Sequence, residues 1–326
     1  MKILVTGASG FIGRALCLDL QSRGLAVRAL MRKQSSVVAD YECLSGELDD
    51  EAFLSTALSG IDVVIHLAGR AHQFGKASTN LEAMLAVNKD LTLKLASYAE
   101  KLGVKRFIFV SSIGVNGVET GSVAIDETSS ANPVKDYALS KYEAEIGLTE
   151  RYINHASEME LVIIRPPLVY AANAPGNFQK LLKLVKAGAP LPFSGVANKR
   201  SMVSLNNLTD FLSTCAIHPR AGGQLFLVSD GDDLSLPEIL EALSEGMGRK
   251  SRLFYFPVSI MSAVSRLLGK GALMTQLCGS FVLNSNKATA LLNWTPPFSS
   301  RDELIKSARN FELSGDAPRS KTVRSQ

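Results

Sequence analysis

Short apolar runs alternate with segments of helical periodicity through the first half of the chain. Lys2-Ile3-Leu4-Val5-Thr6 reads as a buried strand, followed by a glycine turn and a helix through about Ser22. Ala26–Leu30, Ile61–Leu67, Arg106–Ser111 and Leu161–Arg165 repeat the strand pattern. Asn80 to Leu102 and Asp136 to Asn154 carry helical periodicity. Strands that alternate with helices imply crossover units, and hence a parallel sheet covered on both faces.

Beyond Pro166-Pro167 the regularity loosens. Residues 171–203 contain glycine, proline and a short helix, and Leu225–Val228 reads as a late strand that returns to the sheet. Leu236 to Gly246 is a helix entered through Ser235 and Pro237, a cap and a first turn. The fold class expected is α/β, a Rossmann-type doubly wound parallel sheet with a smaller, discontinuous C-terminal substrate-binding part. Residues 1–165, with returning segments over about 196–232, form the dinucleotide-binding domain in this reading. Residues 166–195 and 233–312 form the second part, and 313–326 a polar, disordered tail. A ligand crevice is expected at the carboxyl ends of the strands. The stretch Leu253–Leu283 is unusually apolar, but Arg266 and Lys270 interrupt it. Neither uncharged piece reaches roughly 18 residues, so no membrane span is expected. Buried helices are the first reading, and a cap over a site or a subunit contact the second.

Composition narrows the class. The chain has 326 residues, 46% hydrophobic and 20% charged, which fits a globular protein. A formal charge of +4, with Lys and Arg spread out, gives no sign of nucleic-acid binding. Cys17, Cys43, Cys215 and Cys278 lack Cys-x-x-Cys spacing, and three have apolar neighbours in sequence, which reads as buried free thiols in a reducing cytoplasm. The four histidines form no metal-ligand pattern, and no signal peptide is visible ahead of the first strand.

Three local patterns carry chemistry. Gly7-Ala8-Ser9-Gly10-Phe11-Ile12-Gly13 lies between a strand and a helix, where the backbone can approach a pyrophosphate and helix N–H groups face the anion. Tyr137 and Lys141 stand four residues apart, on one face of a helix. An ammonium close to the phenol would lower the tyrosine pKa and suit it to exchange a proton with a hydroxyl while a hydride moves at the same carbon. Ser111-Ser112 ends a strand upstream. The second strand ends in Leu30-Met31-Arg32-Lys33, without the acidic residue that would favour NAD. Arg32, with Arg14, can meet a 2′-phosphate, which inclines the reading towards NADP(H) with NAD as the alternative. Glu47-Leu48 is placed to border an adenine.

Taken with His66-Leu67-Ala68-Gly69, Val87-Asn88 and Arg165-Pro166, these patterns resemble the extended short-chain dehydrogenase/reductase family in its UDP-glucose 4-epimerase-like branch. The resemblance runs to about Trp294. It implies that Tyr137 is the acid/base and that Lys141 bonds the nicotinamide ribose and holds the phenolate. Ser112, 25 residues before Tyr137, would hold the reacting hydroxyl with Ser111 beside it. It further implies cofactor contacts from Gly7, Ser9, Gly10, Phe11, Ile12 and Gly13, from Leu67, Ala68 and Gly69, and from Asn88 and Pro166. Asn177 and Arg200 would meet the substrate diphosphate. A homodimer seam is implied for the helices near 80–102 and 136–154. The sequence departs from the pattern at Leu168, Ala71 and Met274, with Arg266 or Lys270 as substitutes for the last. His66 is expected to pack or bond at its strand end, His72 is a weaker candidate for the crevice, and Trp294 is a packing anchor. The resulting expectation is hydride transfer at C4 of a nucleotide-activated, UDP-linked hexose in cell-surface polysaccharide sugar synthesis. A 4-ketoreductase is slightly preferred to a UDP-hexose 4-epimerase holding NAD tightly. A dehydratase ranks lower, because Ile113-Gly114 supplies no acid/base pair, and a non-catalytic dinucleotide sensor lower still.

Overall fold

The computed structural model of the protein describes residues 1–33, 40–70, 81–120, 123–155, 157–269 and 271–315. The chain divides into two compact units. The first comprises Met1–Val169, Ser201–Asp233 and Ser280–Phe298. The second comprises Tyr170–Arg200, Leu234–Gly279 and Ser299–Gln326.

The chain begins with β1 (Lys2–Thr6), α1 (Phe11–Ser22), β2 (Ala26–Met31), β3 (Glu42–Ser45), α2 (Glu51–Leu58) and β4 (Val63–His66). One helical run follows, made of α3 (Leu81–Leu85), a π turn over Ala86–Asp90 and α4 (Leu91–Lys101). Then come β5 (Arg106–Val110), α5 (Asp136–Thr149) with a terminal π turn, β6 (Glu160–Arg165) and the short β7 (Leu168–Tyr170). After α6 (Asn177–Lys186) the chain forms β8 (Met202–Ser204), α7 (Leu205–Ile217) and β9 (Gln224–Leu227). The last elements are α8 (Leu236–Gly246), α9 (Val258–Leu267), α10 (Gly271–Cys278), α11 (Asn286–Leu292) and α12 (Ser300–Gly315).

Seven strands lie in the order β3-β2-β1-β4-β5-β6-β9, and every neighbouring pair is parallel. Successive strand residues point to opposite faces, so each strand feeds two cores. Ile3, Val5, Ile65, Ile108 and Ile164 join Leu16, Leu20, Phe211 and Leu212 of α1 and α7. Leu4, Val64, Phe107, Phe109 and Ile163 join Leu54, Leu95 and Leu148 of α2, α4 and α5. Full burial of each such side chain stabilises the fold by about 1.5–3 kcal/mol. The strand order reverses between β1 and β4, and there the carboxyl ends open a place for a ligand.

Two arginines inside strands finish helices on the sheet faces. Arg28 on β2 donates to Thr56 O, Ala57 O and Ser59 O at the end of α2, at 3.2, 2.8 and 2.9 Å. Arg106 on β5 donates to Cys215 O and Ala216 O of α7 at 2.7 and 3.2 Å. Last-turn carbonyls lack helical partners, and a cation answers both their hydrogen-bonding need and the negative end of the dipole.

Three expectations need correction. Residues 280–298 belong with the sheet rather than with the second unit. Their backbone and side chains are held there: Ser201 N donates to Phe281 O at 2.8 Å, Leu283 N to Ser201 Oγ at 2.8 Å and Trp294 Nε1 to Asp210 Oδ2 at 2.7 Å. Second, buried helices do not follow Leu253. Helix α9 has no buried residue and rests on α10, and Leu267 is 88% exposed. Third, only Cys17 and Cys215 are buried; Cys43 is exposed on an edge strand and Cys278 is half-buried on α10. All four are free thiols. Among the described residues no helix is long and apolar enough to cross a membrane.

Candidate active site

The glycine turn follows β1 directly. Gly7 has φ +67°, and a Cβ there would lie 2.8 Å from Ala68 N, so β1 and the segment after β4 approach more closely than a side chain allows. A Cβ on Gly13 would lie 2.3 Å from Gly7 O. Gly10 precedes α1 with no side-chain cap, which leaves first-turn N–H groups facing outward. A cavity of about 440 Å³ opens over this turn. Gly7, Ser9 and Gly10 form one wall, Arg32 with Glu47 and Leu48 another, and Leu67, Ala68 and Gly69 a third. Val87 of the Val87-Asn88 pair also reaches it, as do Arg70 and Leu91, which no sequence pattern had marked. A close-approach glycine cradle, a bare helix N-terminus and apolar walls fit a dinucleotide. Phe11, Ile12, Gly13, Asn88 and Pro166 do not line this cavity. Gly13 acts through the turn's packing, and Pro166 O accepts from Ile113 N at 3.0 Å beside the serine turn.

A polar chain runs beneath the cavity. Ala68 N donates to Thr6 Oγ1 at 3.1 Å, Thr6 Oγ1 meets His66 Nδ1 at 2.7 Å, and His66 Nε2 meets Thr92 Oγ1 at 2.9 Å. Thr92 Oγ1 gives its one hydrogen to Asn88 O at 2.8 Å. The imidazole must therefore donate from Nε2 and accept at Nδ1. Burial, helped by the charge of Lys141, pushes its pKa down to about 3, and the ring is neutral. Asn88 is fully buried in the π turn. Its Oδ1 accepts from Arg70 N at 2.7 Å, and its Nδ2 donates to Arg70 O at 3.1 Å and Ser140 Oγ at 2.9 Å. One asparagine thus joins the cavity wall to α5.

Tyr137 and Lys141 lie on α5. Lys141 is buried, donates to Val110 O at 3.0 Å and stands 4.6 Å over the ring of Phe109. A Cβ on Gly69 would lie 3.4 Å from Lys141 Nζ, so the ammonium borders the cavity wall. Burial lowers its pKa to about 8, against an opposing pull from Glu145. Here the expectation of a lowered tyrosine pKa fails. Tyr137 is half-buried, and desolvation pushes its phenol up to about 12. The ammonium gives one of its three donors to the β5 carbonyl, and burial governs both groups.

Ser112 caps a short 3₁₀ turn, Ile113–Asn116, and its Oγ accepts from Gly114 N at 3.2 Å. A Cβ on Gly114 would be 3.4 Å from both Ser112 Oγ and Ala138 Cβ, which sets the serine turn against the residue after Tyr137. Ser111 donates its backbone N–H to Ile164 O at 2.8 Å, and its buried Oγ has no protein partner. Arg165 on β6 ties these parts together. It is paired with buried Glu145 of α5 at 2.5 Å and donates to Asn116 Oδ1 of the serine turn at 2.9 Å.

Asn177 and Arg200 belong to the second unit. Asn177 is exposed at the first position of α6, behind Gly176 with φ +82°. Arg200 Nη1 donates to Gly279 O at 3.0 Å, and burial lowers its pKa. Of the departures, Leu168 opens β7 and Met274 lies on α10. Ala71, His72 and Lys270 fall outside the described residues. Among those residues no group of three or more His, Cys, Asp or Glu side chains is arranged to hold a metal.

A parallel sheet reversing between β1 and β4, a glycine cradle at that point and a Ser…Tyr-x-x-x-Lys set, with the serine just after β5 and the pair on α5, define an extended short-chain dehydrogenase/reductase. Residues 3–224 match the model of the NAD dependent epimerase/dehydratase family, and the chain belongs to that family. It is 36% identical over 319 residues to a UDP-glucose 4-epimerase of Vibrio cholerae, with 95% of each chain covered. It is 29% identical over 256 residues to the N-acetyl-α-D-glucosaminyl-diphospho-ditrans,octacis-undecaprenol 4-epimerase of Escherichia coli O157:H7, covering 78% of this chain and 75% of that one. The UDP-glucuronic acid 4-epimerase of Bacillus cereus, solved with NAD, has the same fold at a TM-score of 0.75 and 20% identity, over 96% of this chain and 99% of the other.

Proposed function

We propose that the protein moves a hydride at C4 of a UDP-linked hexose and that its reaction is 4-epimerisation. The observation that carries the reading is that Lys141 borders Gly69 of a glycine cradle that fits a dinucleotide, while the Ser112 turn is set against Ala138, the residue after Tyr137. The likeness to the Vibrio cholerae enzyme, which spans 95% of both chains, supports the choice of epimerisation. Bound NAD(P) would supply the two-electron chemistry at its nicotinamide ring. Gly7, Ser9 and Gly10 would hold its pyrophosphate against the α1 N-terminus. Lys141 would bond its ribose hydroxyls. Desolvation keeps Tyr137 a phenol in the free protein; as a phenolate in the loaded site, with the cationic nicotinamide beside it, it would take the O4 proton of the sugar as C4 becomes a ketone, and would return it when C4 is reduced from the other face. Ser112 Oγ holds O4 through both steps. Asn177 and Arg200 would bind the substrate diphosphate, a dianion that suits a half-buried guanidinium. The helical runs 81–101 and 136–154 would form a homodimer seam.

A second reading, 4-ketoreduction of a 4-keto sugar with NADPH, is favoured by Arg32. It lines the cavity where an acidic residue would select NAD, and its guanidinium suits a 2′-phosphate. Either reaction fits a supply of sugars for cell-surface polysaccharide.

Denaturing the purified protein and identifying any released nucleotide separates the two. Retained NAD with interconversion of UDP-glucose and UDP-galactose supports epimerisation. An empty site with NADPH-dependent loss of a 4-keto sugar supports reduction. In either case Tyr137→Phe is expected to lower turnover by about 10²–10⁴-fold, the usual contribution of general acid/base catalysis, and to spare cofactor binding. Unchanged turnover would remove Tyr137 from the chemistry.

A further inference from the structure

Seven large apolar side chains stand exposed within fifteen residues of the second unit: Phe254, Tyr255, Phe256, Ile260, Val264, Leu267 and Leu268. Tyr255 is 72% exposed and Leu267 88%. Helix α9 carries three of the seven, Ile260, Val264 and Leu267, with Leu268 at its C-cap and Phe254–Phe256 ahead of it, and a cavity of about 470 Å³ adjoins it, lined by Phe254, Phe256, Met261, Val264, Leu268 and other uncharged residues. A contiguous apolar surface of this kind marks an interaction site.

Charge identifies the partner. No Asp or Glu occurs between Glu245 and Asp302, whereas Lys250, Arg252 and Arg266 flank the apolar face and are exposed. Arg249 is already committed to Lys186 O and Glu312. The imbalance extends to the whole unit, with sixteen Lys and Arg against seven Asp and Glu, net +9. The sheet unit has nineteen against twenty-four, net −5. Apolar and aromatic side chains rimmed by cations match the interface of an anionic bilayer, where a short amphipathic helix lies in the plane of the headgroups. A second copy fits less well. A two-fold contact through this face would bring Lys250, Arg252 and Arg266 towards their own counterparts without an acid between them. A nucleic acid would answer the cations and leave the leucines and phenylalanines in water.

We propose that α9 and the preceding Phe254–Phe256 segment dock the protein on an anionic phospholipid surface. The face lies outside the groups assigned to C4 chemistry, so this docking and that chemistry stand or fall separately.

The test is co-sedimentation of the full chain with vesicles. Wild type is expected to sediment with phosphatidylcholine vesicles containing a quarter phosphatidylglycerol, and to stay in solution with phosphatidylcholine alone. Lys250→Gln and Arg252→Gln should each weaken binding about fivefold. Val264→Glu with Leu267→Glu should weaken it about tenfold or more, with the melting temperature and NAD(P) binding unchanged. Leu18→Glu, at a leucine 61% exposed on α1 of the sheet unit, should leave sedimentation unchanged. Failure of wild type to bind the anionic vesicles overturns the proposal. So does equal loss from Leu18→Glu, which would mark the binding as unspecific. A sedimentation-velocity shift from dimer to monomer in the Leu267→Glu variant overturns it as well, because a second copy would then cover the face.

Discussion

At the scale of single residues, burial sets the charges around the candidate site. His66 is neutral because it is fully enclosed and each ring nitrogen has a fixed partner. In the unfolded chain an imidazole takes a proton near pH 6.5; in the folded one it resists to about 3. Between these values the unfolded state binds more protons, so stability falls as the pH drops, by up to about 1.4 kcal/mol per pH unit. Urea midpoints between pH 6.5 and 4.5 should show this slope, and His66→Gln should flatten it while losing stability at neutral pH. On the alkaline side Lys141 sheds its proton first, near pH 8, whereas Tyr137 remains a phenol to about 12. Cofactor affinity of the free protein is therefore expected to decline above about pH 8, and Lys141→Arg should move that limb upward. The reactive pair itself was legible, because four-residue spacing on a helix is a local property. The direction of the tyrosine shift was not, because it is set by burial of the phenol, which depends on what the rest of the fold packs around it. That His66 packs or bonds at its strand end was legible; its partners Thr6 on β1 and Thr92 on α4 were not, because only the fold brings them to the ring.

Among elements, the alternation of strand and helix was readable wherever strands are buried on both faces. It failed at β3, where Glu42, Cys43 and Ser45 are exposed and give an edge strand without an apolar run. It also passed over α2 and α7, although Leu205, Leu208, Phe211, Leu212, Cys215 and Ala216 recur at helical spacing along α7. The connection that matters most between elements is Arg165, which holds α5 through Glu145 and the serine turn through Asn116. Removing the guanidinium leaves a carboxylate buried without its cation. Arg165→Met is therefore expected to cost about 3–5 kcal/mol, and joint replacement of Arg165 and Glu145 by Met should recover much of that loss. Urea denaturation of the two variants checks the order. A larger fall in kcat than rise in KM in the single variant would mark Arg165 as a positioning residue for Ser112 and Tyr137.

For the molecule as a whole, the sheet unit is assembled from three separate stretches of chain. A nick at Ala187–Ala189 should not part the fragments, since β9 pairs with β6 from Val162↔Gln224 to Arg165↔Leu227 and α7 covers one face of the sheet. Gel filtration should return both fragments in one native peak, and denaturant should separate them. The same threading dictates an order of events during synthesis. When β6 leaves the ribosome its outer edge has no neighbour, and the face that Phe211, Phe226 and Trp294 will cover is bare. One excursion into the second unit precedes β9, and a second comes between β9 and Trp294. A nascent chain with β6 out of the ribosome and α7 still to emerge therefore displays an open parallel edge and an incompletely covered apolar face, the surfaces that chaperones and aggregation both recognise. Closure of the sheet therefore waits for β9, and cover of its face for Trp294.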